Sequence, residues 1–510
     1  MIGLIGQAGG TSADFHLPNV SWYALTPFLV LVAGSLVVLV LGALLRTEPV
    51  RRAFAPLTAL IAIAAGITAI PLWHKVSDHG AYTTIAGSVG IDGFSLFLTF
   101  VICAGTALAA LFADGYLRRE GLEGPEVYVL MLLSASGGLV MAFANDLIVV
   151  FLGLEILSIA VYVLAGSHLR RTRSGEAALK YFILGAFSSA FFLYGISLVY
   201  GATGTTNLLR IVDFLGGSNG QLLTNDGLLV AGIALLLVGF GFKVTAAPLH
   251  MWGPDVYQGS PTPVVVFMAS AVKAAGFAAM LRVLYLAFGT YRLDWQPIVY
   301  VLAVASILIG GVLAIVQTDV KRMMAYSSIA HAGYVLVGVE AATREGLWAA
   351  LFYLAAYTFM VGGTFGVFTV LGRRGDGHHQ LSEYVGLARR QPTLALVLTI
   401  FLLAQAGVPF TVGFVGKFYV ILAAVRAHSY WLALIAMVGS VISAYLYLRI
   451  VVNMYTGDED QPVTSAARIK IPVFAGIGLG LAVLFVVVFG IIPGPITDLA
   501  HHATLPLAIR

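Results

Sequence analysis

The stretch Leu235–Trp252 reads LLLVGFGFKVTAAPLHMW and decides how the rest of the chain is interpreted. It is apolar enough to lie in a bilayer, yet it contains one cation, Lys243, and five residues later Pro248. A Lys at mid-membrane costs about 2.5 to 3.5 kcal/mol and normally faces the protein interior or a hydrated cavity. Proline interrupts the helical hydrogen bonds, and hydrocarbon offers no replacement partners. The stretch predicts a broken helix beside a buried, hydrated charge, and the alternative is a snorkelling lysine beside a purely structural kink.

The composition is that of an integral membrane protein with many spans. Of the 510 residues, 59% are hydrophobic and 10% are charged, whereas soluble domains carry about 25% charged residues. The single cysteine, Cys103, excludes an iron-sulfur cluster or a disulfide framework held by this chain alone. No nucleotide-binding motif stands in a strand-to-helix context. We therefore expect no cofactor and no nucleic acid partner for this chain.

Apolar runs predict an all-α polytopic fold with about fourteen transmembrane helices. The runs cover residues 21–45, 53–73, 92–113, 126–143, 146–167, 175–200, 227–252, 261–288, 296–317, 322–340, 345–371, 392–426, 429–455 and 471–492. The long loop 201–226 is rich in Gly, Thr and Asn, and we predict a short surface helix near 208–215. The run Asp458, Glu459 and Asp460 is interpreted as a solvated loop.

The distribution of Lys and Arg predicts the orientation. The odd-numbered loops carry most of these cations, including Arg46, Arg170 and Lys321. The even-numbered loops and the C-terminus carry only Lys75, Arg210, Arg292, Arg344, Arg426 and Arg510. By the positive-inside rule, both termini are expected outside the cytoplasm.

A second interrupted span repeats the pattern of the first. The segment LLAQAGVPFTVGFVGKFYVILAAV, Leu402–Val425, has Gly407 and Pro409 in mid-run and then a lone Lys417. The two broken spans, seven and twelve, are five apart, so spans four to eight and nine to thirteen are predicted to be two repeats. Five is an odd number, so the repeats enter the membrane in opposite directions. Paired broken helices in an inverted repeat mark a transport site.

The repeats predict four parts of the chain. They are residues 1–120 for spans one to three, 121–290 for the first repeat, 291–457 for the second repeat and 458–510 for span fourteen.

Ionisable residues lie inside the predicted spans. Glu155 is the only acid well inside span five, and we expect it to partner Lys243, which lowers the cost of both charges. The alternative is a protonated Glu155 bonded to a backbone carbonyl. Lys273 lies about twelve residues into span eight, too deep for easy snorkelling. Lys180 follows a cytoplasmic Arg cluster closely, so snorkelling and function are equal alternatives there.

Two histidines add groups that titrate between pH 5 and 8. His331, in AYSSIAHAGYVLVG, lies in mid-span beside Ser327, Ser328 and Tyr334, an arrangement that is compatible with a hydrogen-bonded file. His250 follows the break in span seven, and for either histidine the alternative is a satisfied core residue. Asp255 is a turn, cap or proton carrier, and Arg282 and Arg449, near span ends, are expected to snorkel.

Together these residues predict proton transfer. Glu155, Lys243, Lys273 and Lys417 are spread over several helices without the Cys or His spacing of a metal site. A line of such groups joined by water takes up and releases protons when a neighbouring charge moves.

Several long motifs resemble the antiporter-like membrane subunits of respiratory complex I, and among them the N subunits of bacterial NADH-quinone oxidoreductases. The motifs are GFGFKVTAAPLHMWGPDVYQGSPTPVVVFMASAVKAAGF, AGVPFTVGFVGKFY, GLEILSIAVYVLAG, EAALKYFILGAFSSAFFLYG and AYSSIAHAGY. The VYQGSP segment differs from the related cation/proton antiporter subunits. The M subunits usually have a glutamate where Lys417 stands, and the L subunits have a long C-terminal lateral helix.

The resemblance implies fourteen helices, two inverted five-helix repeats and breaks in helices seven and twelve. By motif, Glu155 and Lys243 would be the acid and lysine of the input half, Lys273 the central lysine and Lys417 the lysine near the outward exit. Lys180 and His250 would be auxiliary members of the proton path. His331, in the file described above, would be a third auxiliary member.

The same resemblance implies where the partners and cofactors are. The chain would sit in the bacterial cell membrane beside M-like and K-like subunits, joined through them to the peripheral arm, with membrane lipids around it, cardiolipin among the candidates. NADH, FMN, iron-sulfur clusters and quinone would be held by partner subunits. Two other functions stay open from the residues alone: a subunit of a cation/proton antiporter, and a membrane scaffold whose buried charges only fix helix packing.

Overall fold

The computed structural model of the chain describes residues 19–45, 47–217, 226–377, 379–456, 469–503 and 505. The termini, Arg46, Arg510 and the Asp458–Asp460 run lie outside the described residues, so the orientation of the termini stays a prediction. The described part is a bundle of helices with one small antiparallel hairpin, in which Tyr82 pairs with Ile91.

The elements follow the chain in three groups and a C-terminal pair. The first comprises α1 (Thr26–Leu44), α2 (Glu48–His79), β1 (Tyr82–Thr84), β2 (Val89–Ile91) and α3 (Gly93–Glu120). The second comprises α4 (Glu126–Phe143), α5 (Leu147–Ala165), α6 (Thr172–Thr203), α7 (Leu208–Gly216), α8 (Gly227–Lys243), α9 (Trp252–Gly259) and α10 (Thr262–Ala287). The third comprises α11 (Arg292–Ile315), α12 (Val320–Glu340), α13 (Arg344–Leu371), α14 (Leu387–Arg390), α15 (Pro392–Ala406), α16 (Val412–Arg426) and α17 (Tyr430–Tyr455). The pair is α18 (Val473–Ile491) and α19 (Gly494–His502).

The predicted all-α multi-pass fold is confirmed. Eleven helices of the described part are long and apolar enough to cross a membrane. The shorter apolar helices α8 and α15 are the first halves of the two predicted broken spans. The remaining predicted span is α12, which carries Ser327, Ser328 and His331 in its middle. The predicted surface helix near 208–215 is α7.

The first break gives its freed backbone groups new partners. Helix α8 ends at Lys243 and α9 begins at Trp252, with Pro248 between them. The Ala247 amide donates to Ser306 Oγ of α11 at 2.8 Å. The Trp252 indole N–H donates to the Phe242 carbonyl at 3.0 Å. The partners come from the protein, as the absence of water in hydrocarbon demands.

Two equivalent backbone bridges support the predicted repeat. Asp146, the N-cap of α5, bridges to Asn207, and Asp319, the N-cap of α12, bridges to Gln380. The partners are 61 residues apart in both bridges, from 146 to 207 and from 319 to 380. The same helix start is therefore tied to the same downstream loop in both halves.

Helix α10 lies at the centre of the bundle. Its most apolar window is 100% buried, whereas that of α1 is 28% buried and faces outward. A Cβ at Gly105 of α3 would lie 2.9 Å from the Ala271 backbone nitrogen of α10, so the two helices approach closely because of this glycine. The central helix is therefore surrounded by protein and not by lipid.

The predicted snorkelling of Arg282 is wrong. Its side chain is 1% exposed, and its Nη2 donates to Asp92 Oδ1 at 2.8 Å while its Nε donates to the Ala142 carbonyl at 2.8 Å. Asp92 also caps α3 by accepting from the Ser95 amide at 2.8 Å. Arg449 is half-buried and donates to the Ile315 carbonyl at the end of α11. Both arginines bond to the protein because acceptors stand within reach.

Replacing Asp92 by Asn tests the buried pair. The change leaves the Arg282 cation buried without a counter-charge, and we expect a loss of about 3 to 5 kcal/mol, as for other broken buried pairs. The measurement is the unfolding midpoint of the chain in detergent. The double variant Asp92→Asn with Arg282→Met removes the stranded charge and should recover most of the loss. An equal loss in both variants would contradict this account.

Candidate functional site

Three predicted lysines lie inside the protein. The exposed fractions of Lys243, Lys273 and Lys417 are 4%, 3% and 5%. They lie at the end of α8, in the middle of α10 and in α16. Snorkelling, the alternative that the sequence left open for Lys243, does not fit this burial.

Glu155 and Lys243 each bond to a different serine. Ser189 Oγ of α6 donates to Glu155 Oε1. The Lys243 ammonium donates to Ser158 Oγ, one turn after Glu155 on α5, at 2.8 Å. It also lies 5.9 Å from the centre of the Tyr181 ring. The predicted partners do not form a direct ion pair, and the serines connect each group to its surroundings.

A small cavity lies beside this pair. It is lined by Ser158, Ser189 and Lys243 among others, and about 10 Å³ of it is accessible to the centre of a water molecule. A polar site needs about 10 to 15 Å³ of this measure to hold one water. The cavity therefore has room for about one bridging molecule between the α5 serine and the α6 serine.

Lys273 is bonded to the middle of the neighbouring helix α12. Its ammonium donates to the Ser328 carbonyl at 2.8 Å and to Ser328 Oγ. Tyr257 of α9 shares a 3.5 Å contact with the same hydroxyl. The helix is locally widened to a π-turn over Met268–Val272, immediately before Lys273. The central lysine thus connects the two repeats through one serine, although α12 itself runs unbroken past Ser328.

His331 lies in a hydrogen-bonded file that includes Tyr353 and Tyr447, whereas the hydroxyl of Tyr334, expected beside it, donates to the Ala436 carbonyl at 3.2 Å. His331 Nδ1 is 2.8 Å from the Tyr353 hydroxyl, and His331 Nε2 is 2.9 Å from the Tyr447 hydroxyl. The Tyr447 hydroxyl shares a 2.6 Å hydrogen bond with Ser327. Ser327 is the residue before Ser328, so the file begins next to the partner of Lys273.

Lys417 is bonded to the second break. Its ammonium donates to the Ala406 carbonyl at the end of α15 at 3.0 Å and to Ser440 Oγ at 3.0 Å. Gly407 follows with φ of +90°, which favours glycine, and a Cβ there would lie 3.1 Å from the Lys417 side chain. A cation at the C-terminal end of a helix is favoured by the helix dipole. The Lys417 ammonium also lies 4.9 Å from the Tyr334 ring centre.

The auxiliary residues lie apart from this file. Lys180 is partly exposed and pairs with Asp255 at 2.8 Å and with Glu176 at 2.6 Å. Asp255 also accepts from Arg322 of α12 at 2.7 Å. Lys180 and Asp255 line a cavity of about 200 Å³. His250 lies in the first break, where its Nδ1 is buried without a hydrogen-bond partner.

Sequence reasoning missed a buried ion cluster on the loop after α13. Asp376 accepts from Lys321 of α12 at 2.7 Å and from Arg171, the N-cap of α6, at 2.9 Å. Thr262 Oγ1, at the start of α10, donates to it at 2.7 Å, and His379 Nε2 is 3.3 Å away. Lys321 and Arg171 both lie in loops that are predicted to be cytoplasmic, where cations are expected. Nothing in the sequence therefore marked them as buried. The cluster therefore connects α6 of the first repeat and α12 of the second repeat to the start of α10.

Burial alone would raise the pKa of the Asp376 carboxyl. The Lys321 ammonium and the hydrogen bonds of His379 and Lys321 outweigh this and hold its pKa well below the usual range. A carboxyl with a depressed folded-state pKa contributes stability above its unfolded pKa of about 3.9. That contribution is lost as the pH falls through the folded-state pKa.

No group of three or more His, Cys, Asp or Glu side chains in the described ranges is arranged to hold a metal ion.

Comparisons with known proteins agree over nearly the whole chain. The family described as NADH:quinone oxidoreductase/Mrp antiporter, TM matches residues 144–443. NADH-quinone oxidoreductase subunit N of Trichlorobacter lovleyi is 42% identical over 86% of this chain and 88% of that protein. Subunit N 1 of Herpetosiphon aurantiacus is 41% identical over 97% of this chain and 99% of that protein. A chain of respiratory complex I from Thermus thermophilus with bound aureothin is 33% identical with a TM-score of 0.77, covering 93% of this chain and 99% of that chain.

Replacing Asp376 by Asn should destabilise the chain near pH 7 by about 3 to 5 kcal/mol, because it removes one partner of a buried cluster. The difference from the unmodified chain should begin to shrink as the pH falls below about 4, where the unfolded-state carboxyl takes up a proton, and should disappear only below the depressed folded-state pKa. Unfolding midpoints in detergent across pH measure both effects. A matched change at the exposed Glu48, to Gln, should have little effect, because its pair with Arg52 is exposed to solvent. A pH-independent difference would contradict the role of the charge.

Proposed function

Because the chain belongs to the antiporter-like membrane subunits of respiratory complex I that include NADH-quinone oxidoreductase subunit N, we propose that it carries protons across the bacterial membrane. The path is a file of buried lysine, histidine, serine and tyrosine side chains. Electrons pass from NADH to quinone in other subunits, and that reaction supplies the energy. The chain itself provides groups that hold and transfer protons.

One observation supports the proposal most strongly. The ammonium groups of Lys243, Lys273 and Lys417 bond to serine hydroxyls and backbone carbonyls. Within the described part of the chain, none of the three has a carboxylate within 4.0 Å. A buried ammonium with neutral partners is not locked in a fixed ion pair. Its proton can therefore be passed on and taken back.

The contacts suggest the order of the file. Lys243 comes first, with Glu155 beside it. Helix α10 packs closely against Lys243 at Gly276, where a Cβ would lie 3.2 Å from Lys243 Cγ. Lys273 stands one turn before Gly276 and bonds to Ser328. Ser327, the residue before that serine, shares a hydrogen bond with the Tyr447 hydroxyl.

The file continues from Tyr447 to the second break. His331 bonds to the hydroxyls of Tyr447 and Tyr353. The Tyr353 ring stacks with the Tyr334 ring at 6.2 Å, and Lys417 lies over that second ring. The steps from Lys243 to Lys273, from Ser328 to Ser327 and from the tyrosines to Lys417 lack a direct hydrogen bond between the named groups. We propose that water completes these three steps.

Coupling then works through charge. A change in the distance between Glu155 and Lys243 alters the free-energy cost of keeping Lys243 charged. This in turn changes the proton occupancy of Lys273 and then of Lys417. Glu155 suits this role because its observed partner is a serine hydroxyl and not a cation. The pair can therefore form or separate without breaking another ion pair. Lys180, paired with Asp255, would deliver protons from the cytoplasmic side.

Two other functions predict different results. The family description also covers Mrp antiporters, and a cation/proton antiporter subunit would purify without the redox subunits of complex I. A structural scaffold would need Lys417 for assembly and not for pumping. Purifying the native assembly and identifying its other chains separates the first alternative, and a Lys417→Met variant that assembles without pumping excludes the second.

Replacing Lys243 by Met should abolish transfer at the first step. Electron transfer from NADH to an artificial acceptor should stay intact, whereas quinone-linked turnover and proton pumping should fall tenfold or more. A positioned proton-transfer group contributes about 10²- to 10⁴-fold to a rate. The assembled complex in vesicles provides all three measurements, and undiminished pumping would refute the assignment.

Replacing Tyr447 by Phe tests the second half of the file. The change removes the hydroxyl that Ser327 and His331 share, so pumping should fall while assembly is preserved. Tyr285→Phe is the matched control, because that buried hydroxyl donates to the backbone carbonyls of Gly338 and Val339 at 3.1 and 2.9 Å and lies outside the hydrogen-bonded file. Equal pumping in the two variants would remove Tyr447 from the path.

A further inference from the structure

A large cavity lies away from the proton file. Its volume is about 560 Å³, and it opens between the C-terminal ends of α3 and α13, the α14 turn and the start of α18. This end of the bundle carries the Arg-rich loops and is predicted to face the cytoplasm. Cavities of about 300 to 1,000 Å³ are the usual size of small-ligand sites.

Five cations and no carboxylate line this cavity among the described residues. They are Arg119, Arg373, Arg374, Arg390 and Lys470. The cations come from four separate segments of the chain. The fold, and not a single basic run of sequence, therefore brings them together. Bringing five like charges together is unfavourable unless an anion is present.

Carboxylates among the described residues leave most of these cations without a neutralising partner. Arg373, Arg374 and Lys470 form no ion pair with any described residue. Arg119 Nη2 is buried without a hydrogen-bond partner, although its Nε donates to Glu120 at 3.1 Å. Glu120 is itself shared with the Gly375 amide at 2.7 Å and with His168.

Arg390 likewise pairs with no carboxylate of the described residues. Its Nη2 donates to the backbone carbonyls of Glu383 and Val385 at 2.8 and 2.9 Å. These bonds hold the guanidinium in place but do not neutralise its charge. The cavity therefore has a net positive field and at least one free, oriented donor.

Apolar side chains form the rest of the wall. Phe112, Leu371, Ile469 and Ala475 line it, and Pro472 at the start of α18 packs against Gly115 of α3. The neighbouring outer face of α18 is exposed, with Val473 75% accessible. A ligand that reached this site from the membrane would place a charged group on the cations and hydrocarbon on these side chains.

We propose that this cavity binds the phosphate of an anionic phospholipid headgroup. Arg119 and Arg374 offer forked donors that suit phosphate oxygens, and Lys470 adds a point charge. Basic pockets between transmembrane helices on the cytoplasmic side are a known form of lipid headgroup site. Free phosphate shares the headgroup chemistry, but it would leave the apolar wall without a partner. The site does not depend on the proton file.

The test compares lipid binding by the purified full-length chain in detergent, measured by native mass spectrometry. The probes are phosphatidylglycerol, phosphatidylcholine and inorganic phosphate. The variant Arg374→Gln with Lys470→Gln removes two exposed cations that pair with no described residue. Each cation near a membrane surface contributes about a fivefold factor in affinity, so the tightest phosphatidylglycerol site should weaken about 30-fold. The control Arg52→Gln, an exposed cation outside the cavity, should bind as the unmodified chain does.

Three results would overturn the proposal. The first is equal phosphatidylglycerol affinity in the double variant and the Arg52→Gln control. The second is displacement of the bound lipid by millimolar inorganic phosphate, which would make free phosphate the ligand. The third concerns the acidic run Asp458, Glu459 and Asp460. If lipid binds only after these three are changed to Asn, Gln and Asn, the chain's own carboxylates fill the cavity.

Discussion

The structure depends on one constraint, that a polar group inside a bilayer must find its partner in the protein. The second break shows how the constraint connects helix geometry to charge. Ending α15 at Ala406 leaves carbonyls without helical partners, and Lys417 supplies the donor for one of them at 3.0 Å. The lysine in turn needs acceptors, and the break provides them. The helix break or the buried lysine alone would be unfavourable, because an unpaired carbonyl and an unpaired ammonium are both costly in hydrocarbon. The first break follows the same rule, since Lys243 ends α8 and the amide of Ala247 finds Ser306.

The two repeats use equivalent positions for different chemistry. Nine residues after the bridging aspartates stand Glu155 and Ser328, and twelve residues after them stand Ser158 and His331. Thirty residues after Lys243 and Lys417 stand Lys273 and Tyr447. The first repeat therefore places an acid and two lysines where the second places a serine, a lysine and a tyrosine. The observed bonds follow this substitution, because Ser158 bonds to Lys243 and its counterpart His331 bonds to Tyr447. The first repeat is therefore the more charged at these positions and the second the richer in hydroxyl groups, which is the division that the proposed relay uses.

The sequence predicted the parts of this arrangement that leave a local signal. A lysine or a proline in an apolar run is conspicuous, so the breaks, the fourteen spans and the three buried lysines were expected. Tyr353 and Tyr447 were not, because tyrosine is common in membrane helices and only packing makes these two hydroxyls meet His331. Asp376 was missed because a loop aspartate looks solvated until Lys321 and Arg171 fold onto it. Arg282 was misjudged for the same reason, since its partner Asp92 is 190 residues away in the chain. Long-range pairing is the information that residue type and spacing do not contain.

The contrast between fixed and unfixed charges runs along α10. At its first residue, Thr262 donates to Asp376, which Lys321 and Arg171 also hold. Near its other end, Arg282 is paired with Asp92. Both ends are therefore anchored by buried ion pairs, which are rigid because losing either partner strands a charge. Lys273 lies between the anchors, and Ser328 is its hydrogen-bond partner among the described residues. The π-turn before it frees the local backbone from regular helical spacing. A helix held at both ends with a weakly held ammonium at its centre can change protonation without moving as a body, which is what a proton relay between two packed halves requires.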